Sequence, residues 1–294
     1  MPSPSLITLG EILWDMFPSG PRFGGAPANF AHHAASLGAD VAIVSGVGND
    51  ELGNAALRML RESSVETQFV AVSDRYRTGQ VRVSLDDQGH AAYQFNPDEA
   101  WDHIPWTADL NAIASSCQAV CFGTLAQRSS ESRNTIRRFV QATPADALRV
   151  LDLNLRSPFY DDEVIEESLQ LASILKLNDE ELNLVAGRFV SGGDELTQAR
   201  EILGRYALDL VAVTRGGRGS LLVREDTFSE ELAQPTTVRD TVGAGDTYTA
   251  AITVGLMKGI PLADINRTAC RMAEYVCSQQ GATPKLPDQL LSSW

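Results

Sequence analysis

The chain has 294 residues, of which 44% are hydrophobic and 21% charged, and its formal net charge is −14. This composition is that of a globular protein with one or two domains, and no apolar run approaches the roughly 20 residues that cross a bilayer. The acidic charge and the scarcity of Lys/Arg clusters argue against a nucleic-acid partner. The N-terminus lacks the basic region of a signal peptide, so we expect no membrane partner and a cytoplasmic location.

Short apolar runs alternate with amphipathic segments along most of the chain. Strands are predicted at 6–9, 41–45, 119–122, 150–153, 174–177 and 210–213, and helices at 27–37, 51–62, 131–141, 163–171 and 195–205. The strands lack polar alternation and are separated by helices. This pattern predicts an α/β fold, in which a mostly parallel sheet is covered by helices on both faces.

Polar residues follow the first predicted strand. Glu11 and Asp15 come directly after it, at the edge where open α/β sheets bind their ligands. The segment 24–29 reads GGAPAN, with two flexible glycines, a proline at a helix start and Asn29 in the first turn. Carboxylates accept hydrogen bonds from hydroxyls, and an amide both donates and accepts, so these groups suit a polyol. By itself, Asp15 could be a surface acid and Asn29 a helix cap.

The segment from 67 to 96 breaks the alternation of strands and helices. It contains two extended runs, 81–85 and 92–95, separated by the turn-forming sequence DDQG at 86–89. A small β-sheet inserted into an α/β core is typical of a lid that excludes water from a transfer reaction, and the alternative is a plain extension of the main sheet.

The segment 240–246 reads DTVGAGD and is followed at once by a helix-like sequence. Glycines allow close approach of the backbone to a ligand, and a helix start offers unpaired N–H groups to an anion. Asp246 could then take a proton from a nucleophile that attacks this anion. A Rossmann fingerprint lacks its third glycine here and no P-loop occurs, but the segment alone could also be an ordinary helix start.

Together these motifs resemble those of the ribokinase-like PfkB carbohydrate kinases. The segments 24–29 and 46–53 match the N-terminal signature of the family, and 240–246 matches the C-terminal one. Intermediate matches lie at 152–156, 178–181 and 214–219. The resemblance implies one kinase domain over 1–294 with a three-layer α/β/α core. It also implies a β lid from segments at about 12–24 and 67–100, through which two chains could pair as a homodimer.

The resemblance implies a role for each matching residue. Asp246 would be the general base, and the N–H groups of Gly243, Ala244 and Gly245 would form an anion hole. The sugar would be bound by Glu11, Asp15, Gly25, Asn29, Asn154 and Arg156. The nucleotide, ATP, would be bound by Lys176, Asn178, Thr214, Gly216 and Gly219. For Arg156 and Lys176, a surface salt bridge is the alternative role.

Metal ions follow from the same resemblance. Asn178 and Glu181 match an Asn-x-x-Glu motif that organises Mg²⁺ and phosphates through water. Asp240 and the loop 280–285 would bind a monovalent cation such as K⁺, unless the ammonium of Lys285 reduces the need for it.

Within the family, the segments 10–18, 24–30, 122–128 and 175–182 resemble fructokinases, which implies phosphorylation of D-fructose to fructose 6-phosphate. A 2-keto-3-deoxygluconate kinase is the first alternative, with Arg156 as the cation for the substrate carboxylate. Ribokinase and adenosine kinase are less favoured because their sequences differ between Glu11 and Asp15. The alternative from another class is a non-catalytic sugar or nucleotide sensor, although Asp246 and its glycines are intact.

Overall fold

The computed structural model describes residues 4–85 and 91–291, so the predicted turn at 86–89 lies outside the described residues. The strands are β1 (Leu6–Leu9), β2 (Leu13–Phe17), β3 (Gly20–Gly24), β4 (Val41–Gly48), β5 (Val70–Ser73), β6 (Gly79–Leu85), β7 (Ala91–Phe95), β8 (Ala119–Gly123), β9 (Leu148–Asp152), β10 (Ile174–Asn178), β11 (Leu210–Thr214), β12 (Ser220–Val223) and β13 (Phe228–Glu231). The helices are α1 (Ala26–Ser36), α2 (Glu51–Glu62), α3 (Ala108–Ala114), α4 (Ser130–Gln141), α5 (Asp162–Leu171), α6 (Asp179–Phe189), α7 (Glu195–Tyr206), α8 (Ala244–Met257), α9 (Leu262–Cys277) and α10 (Asp288–Leu291).

The large sheet has the strand order β13-β12-β11-β10-β9-β8-β1-β4-β5. Its strands are parallel except β12 and β13, which are antiparallel at one edge. Successive residues of β1 belong to opposite cores: Leu6 packs with α1, α2, α8 and α9, and Ile7 packs with α3 to α7. Because helices cover both faces, the central strands are apolar throughout, and the predicted α/β/α fold class is confirmed.

A smaller sheet has the strand order β3-β2-β6-β7. In it, β2 and β6 are parallel, whereas β2–β3 and β6–β7 are antiparallel pairs. The indole of Trp14 fastens β2 to the core, since its Nε1 donates to the Leu52 carbonyl oxygen at 3.1 Å. The segment predicted as a lid at 67–100 divides between the sheets, because β5 pairs with β4 in the large sheet.

The predicted elements occur within a few residues of their expected ends. The strand predicted at 41–45 continues to Gly48, because β5 pairs with its second half. The carboxyl ends of β1, β9, β10 and β11 lie on the same edge of the large sheet, since these strands are parallel. None of the helices within the described residues is long and apolar enough to span a membrane.

Candidate active site

The first turn of α8 lies at the bottom of a cleft between the two sheets. Gly243 precedes the helix with φ 82°, in the left-handed region that favours glycine. A Cβ atom at Gly243 would lie 2.3 Å from the carbonyl oxygen of Ala282, so a side chain is excluded. The first N–H groups of a helix have no acceptor within it, and here they belong to the segment predicted as an anion hole.

Asp246 is in this first turn, and its Oδ2 accepts a hydrogen bond from Asn29 Nδ2 of α1 at 2.8 Å. Burial, together with the nearby charge of Asp152, raises the pKa of Asp246 to about 6. Asn29 is 3% exposed, and its Oδ1 has no protein partner within the described part of the chain.

A first cavity of about 430 Å³ opens above Asp246. It brings together all six residues predicted to bind the sugar: Glu11, Asp15, Gly25, Asn29, Asn154 and Arg156. Leu13, Val81 and Phe95 of the small sheet also line it. Asn96, which follows Phe95, instead donates from its Nδ2 to the Gln80 carbonyl oxygen at 3.1 Å.

Among the acids of the first cavity, Glu11 is buried, whereas Asp15 and Asp246 are half-buried. Burial raises the pKa of Glu11 to about 7, and the carboxylate of Asp246 adds to this effect. Burial also raises the pKa of Asp15 to about 6, while the guanidinium of Arg156 opposes the rise. Glu11 Oε1 accepts from the N–H of Ala26 at 3.3 Å, at the start of α1. Such groups accept hydrogen bonds from hydroxyls and, when protonated, donate them.

Lys176 forms a buried ion pair rather than the surface salt bridge that was the alternative. Its Nζ lies 3.0 Å from Asp152 Oδ1, and Thr249 Oγ1 donates to Asp152 Oδ2 at 2.7 Å. Burial opposes the charge, but nearby carboxylates, led by Asp152, raise the pKa of Lys176 above its usual value. A Cβ at Gly245 would lie 3.0 Å from this ammonium, so the cation lies against the first turn of α8. It lines the first cavity rather than the nucleotide side that the sequence suggested.

A second cavity of about 680 Å³ adjoins the first. Four of the five residues predicted to bind the nucleotide line it: Asn178, Thr214, Gly216 and Gly219. Asn178, Thr214, Thr241 and Gly245 line both cavities, which therefore meet at the start of α8. Groups bound in the two cavities can therefore approach each other past these residues.

Asn178 and Glu181 form the N-terminal cap of α6. Asn178 Oδ1 accepts from the Glu181 N–H at 2.8 Å, and Glu181 Oε2 accepts from the Asn178 N–H at 2.9 Å. Glu181 Oε1 accepts from the Leu155 N–H at 2.7 Å. Both carboxylate oxygens are thus engaged by backbone donors. The negative charge of the Glu181 carboxylate suits a magnesium ion held through water. Within the described ranges, no cluster of three or more metal-ligating side chains occurs.

Asp240 has a different cationic neighbour from the one suggested by the sequence. Its Oδ1 accepts from the Val242 N–H and its Oδ2 from the Gly281 N–H, both at 3.1 Å. The same Oδ2 lies 3.5 Å from Arg22 Nη1 of β3, whereas Lys285 is exposed. The carboxylate at which the sequence predicts a monovalent cation thus already faces a guanidinium. Arg22 was missed because only the folded chain brings β3 to this loop.

Comparison with known proteins identifies the family of this chain. The model of the pfkB family carbohydrate kinases matches residues 20–289. A fructokinase from Salmonella typhimurium is 30% identical over 266 residues, which cover 86% of this chain and 85% of the relative.

Solved structures with the same fold cover nearly the whole chain. A sugar kinase from Pyrococcus horikoshii in complex with ATP has a TM-score of 0.83 and 27% identity, over 98% of this chain and 97% of that one. A fructokinase double mutant from Vibrio cholerae O395, in a form with bound fructose, ADP and potassium ion, has a TM-score of 0.83 and 21% identity, over 99% and 98%. Since the family model spans most of the sequence, this chain belongs to the pfkB family of carbohydrate kinases.

Proposed function

We propose that this carbohydrate kinase transfers the γ-phosphoryl group of ATP to a hydroxyl of D-fructose, giving fructose 6-phosphate, in the cytoplasm. The observation that supports this most is the location of Asp246. Its half-buried carboxylate lines the cavity of polyol-binding groups, in the helical turn at which that cavity meets the second cavity, which is partly lined by glycines.

Asp246 is the proposed general base. With a pKa of about 6 it is mostly ionised at pH 7, and it is a stronger base than an ordinary aspartate. A base with a pKa close to the working pH removes a proton most effectively, and such catalysis is typically worth about 10²–10⁴-fold in rate. The amide of Asn29 holds the carboxylate towards the first cavity, from which the sugar hydroxyl would approach.

The start of α8 is the proposed anion hole. Its backbone N–H groups from Gly243, Ala244 and Gly245 suit a phosphoryl group carrying negative charge. Of these, the Ala244 N–H also makes a long hydrogen bond to the Thr241 carbonyl oxygen, at 3.4 Å. The ammonium of Lys176 adds a fixed positive charge against the same turn. In phosphoryl transfer, such positioning and charge stabilisation provide most of the catalysis.

Magnesium bound with ATP would neutralise phosphate charge and orient the phosphate chain. Asn178 lines both cavities and is the residue we expect to meet the ion through water. Glu181 would act indirectly, because its oxygens hold the backbone of Asn178 and Leu155.

A neutral sugar suits the first cavity better than an anionic one. Glu11, Asp15 and Asp246 all line it, and the ammonium of Lys176 is already paired with Asp152. The name of the Salmonella typhimurium relative supports fructose. One observation favours a second candidate, 2-keto-3-deoxygluconate: the exposed Arg156 lines the cavity and could meet a substrate carboxylate.

An ATP-coupled assay over fructose, tagatose, ribose, 2-keto-3-deoxygluconate and adenosine tests the substrate. We expect the highest kcat/KM for fructose. A higher value for 2-keto-3-deoxygluconate would contradict the fructose assignment, and binding without turnover of any substrate would favour the sensor.

The substitution Asp246→Asn tests the proposed base. It keeps the side-chain shape but cannot accept the proton, so we expect the variant to fold, to bind sugar with nearly unchanged affinity, and to lose about 10²–10⁴-fold in kcat. Calorimetric titration with fructose and steady-state turnover would measure the two effects. Near-normal turnover would rule out Asp246 as the base.

A further inference from the structure

Arg22 lies between two acids that belong to different parts of the molecule. In the small sheet it is directly opposite Asp15 across the β2–β3 pair. Its guanidinium carbon lies 4.4 Å from the ring centre of Phe17, and its Nη1 faces Asp240 at 3.5 Å. The guanidinium also opposes the rise in the pKa of Asp15, whereas the charge of Asp240 adds to that rise.

Asp240 in turn connects three segments. Its carboxylate accepts from the N–H groups of Val242 and Gly281 and faces Arg22 of the small sheet. The loop that it shapes leads directly into Gly243 and the proposed anion hole. An uncompensated carboxylate here would repel a bound phosphate, because Coulomb energies are large where water is partly excluded. The side chain of Asp240 is only 16% exposed, so a nearby positive charge offsets its negative charge more strongly than it would in bulk water.

We infer that Arg22 is a positioning residue that supplies this positive charge from the small sheet, so that phosphoryl transfer in this chain does not require a monovalent cation. The inference rests on the proposed kinase function. It assigns the charge compensation of Asp240 to a side chain of the protein, where the family resemblance would have assigned it to a bound ion.

Arg22 has two acidic neighbours, Asp240 and Asp15, and its removal should have a different effect through each. Through Asp240 it supports the loop before α8, so its removal should lower kcat. Through Asp15, Arg22 limits the rise in the pKa of a carboxyl group proposed to bind the sugar. Removal of Arg22 should therefore raise the KM for the sugar. A monovalent cation added in solution should restore mainly the first effect, because its site would be Asp240 and it would not replace the guanidinium opposite Asp15.

The test compares Arg22→Met, Arg22→Lys and Arg82→Met with the wild type, in potassium chloride and in choline chloride at equal ionic strength. Arg82 is an exposed arginine of β6 in the same small sheet and serves as the matched control. We expect wild type, Arg22→Lys and Arg82→Met to have the same kcat in both salts. Arg22→Met should lose roughly three- to ten-fold in kcat in choline, regain most of it in potassium, and keep a raised KM in both.

Thermal unfolding without sugar or ATP provides a readout that does not depend on the kinase function. Potassium should leave the melting temperature of the wild type unchanged relative to choline, and should raise that of Arg22→Met by about 2 °C or more through binding at Asp240. Potassium activation or stabilisation of the wild type would overturn the inference, as would an Arg22→Met variant as insensitive to potassium as the wild type. If Arg22→Met does not fold, the salt response of the wild type and of Arg22→Lys decides the question.

Discussion

Three carboxyl groups, from Glu11, Asp15 and Asp246, share the first cavity, and burial raises the pKa of each of them. Burial of a charged acid costs stability, and acids with such perturbed pKa values cluster at functional sites. Asp246 accepts one hydrogen bond from Asn29, and Glu11 accepts one from the backbone of Ala26. The remaining hydrogen-bonding capacity of these groups is what a sugar with several hydroxyls can use.

The pH dependence of turnover follows from the raised pKa of Asp246. Because the proposed base must be ionised, we expect kcat/KM to fall as the pH decreases through about 6, rather than through about 4 as for an ordinary aspartate. A pH profile of kcat/KM for the sugar measures this limb, since this ratio reports ionisation in the free enzyme. In Glu11→Gln the limb should stay near 6, and its disappearance there would assign the titration to Glu11 instead.

Glu11 should also make folding stability depend on pH. Its pKa is raised from 4.5 to about 7 in the folded protein, so the unfolded chain loses this proton first as the pH rises. The contribution of Glu11 to stability therefore declines between about pH 4.5 and 7, and the loss is complete above 7. We expect Glu11→Gln to raise the melting temperature relative to wild type at pH 8 more than at pH 5. An equal effect at both pH values would contradict the raised pKa.

At the level of elements, the start of α8 depends on one glycine conformation. Gly243 has a positive φ and lies against Ala282 of the C-terminal loop, and this contact sets the loop from which the helix begins. The α6 cap is built differently, from the paired side chains and backbone groups of Asn178 and Glu181. The two helix starts at this edge are thus fixed in different ways: α8 by the backbone conformation of a glycine, and α6 by side-chain caps.

The substitution Gly243→Ala should disrupt the start of α8. A Cβ at 2.3 Å from a backbone oxygen requires movement of the loop or the helix, and the positive φ adds strain of about 1–3 kcal/mol. We expect a lower melting temperature and a strong loss of kcat. Gly187→Ala in α6 is the matched control, because a Cβ there meets no atom within 4 Å. It should stabilise the protein by about 0.5–1 kcal/mol and leave kcat unchanged. Equal effects of the two changes would contradict the role of Gly243.

Local patterns predicted the elements well, because apolar runs and helix periods are properties of neighbouring residues. The helix α6 could have been predicted too, since Asn178 and Glu181 have the spacing of a capping box. The ion pairs could not be predicted. Arg22 meets Asp240 and Lys176 meets Asp152 only because the sheets bring distant segments together. The family resemblance named the residues of the first cavity, but the raised pKa values come from burial, which has no local sequence signal.

At the level of the whole molecule, the small sheet closes the first cavity over the large sheet. Leu13, Val81 and Phe95 face the cavity, while Trp14 on the opposite side of β2 is hydrogen-bonded to the core. The small sheet is therefore fastened at one side and faces the ligand at the other. Pairing of two chains through this sheet stays a prediction, which light scattering of the purified protein would test.

Sugar binding should reduce the mobility of the small sheet. Because Leu13 and Val81 line the cavity, a bound sugar would contact β2 and β6 directly. We expect slower amide hydrogen exchange in both strands when fructose is added, and no change in β13 at the far edge of the large sheet. Unchanged exchange in β2 and β6 at saturating fructose would show that the small sheet does not cover the substrate.

The hydrogen bond between Asn29 and Asp246 joins residues that are 217 positions apart. During synthesis, Asn29 leaves the ribosome long before the segment with Asp246 is made, and the N-terminal part of the chain already contains Glu11 and Asp15. A nascent or truncated chain that ends before α8 therefore contains groups proposed to bind the sugar but neither the proposed base nor the proposed anion hole. Under the proposed function, only a chain that includes α8 can use ATP, and phosphorylation of the sugar indicates that α1 and α8 have packed against each other.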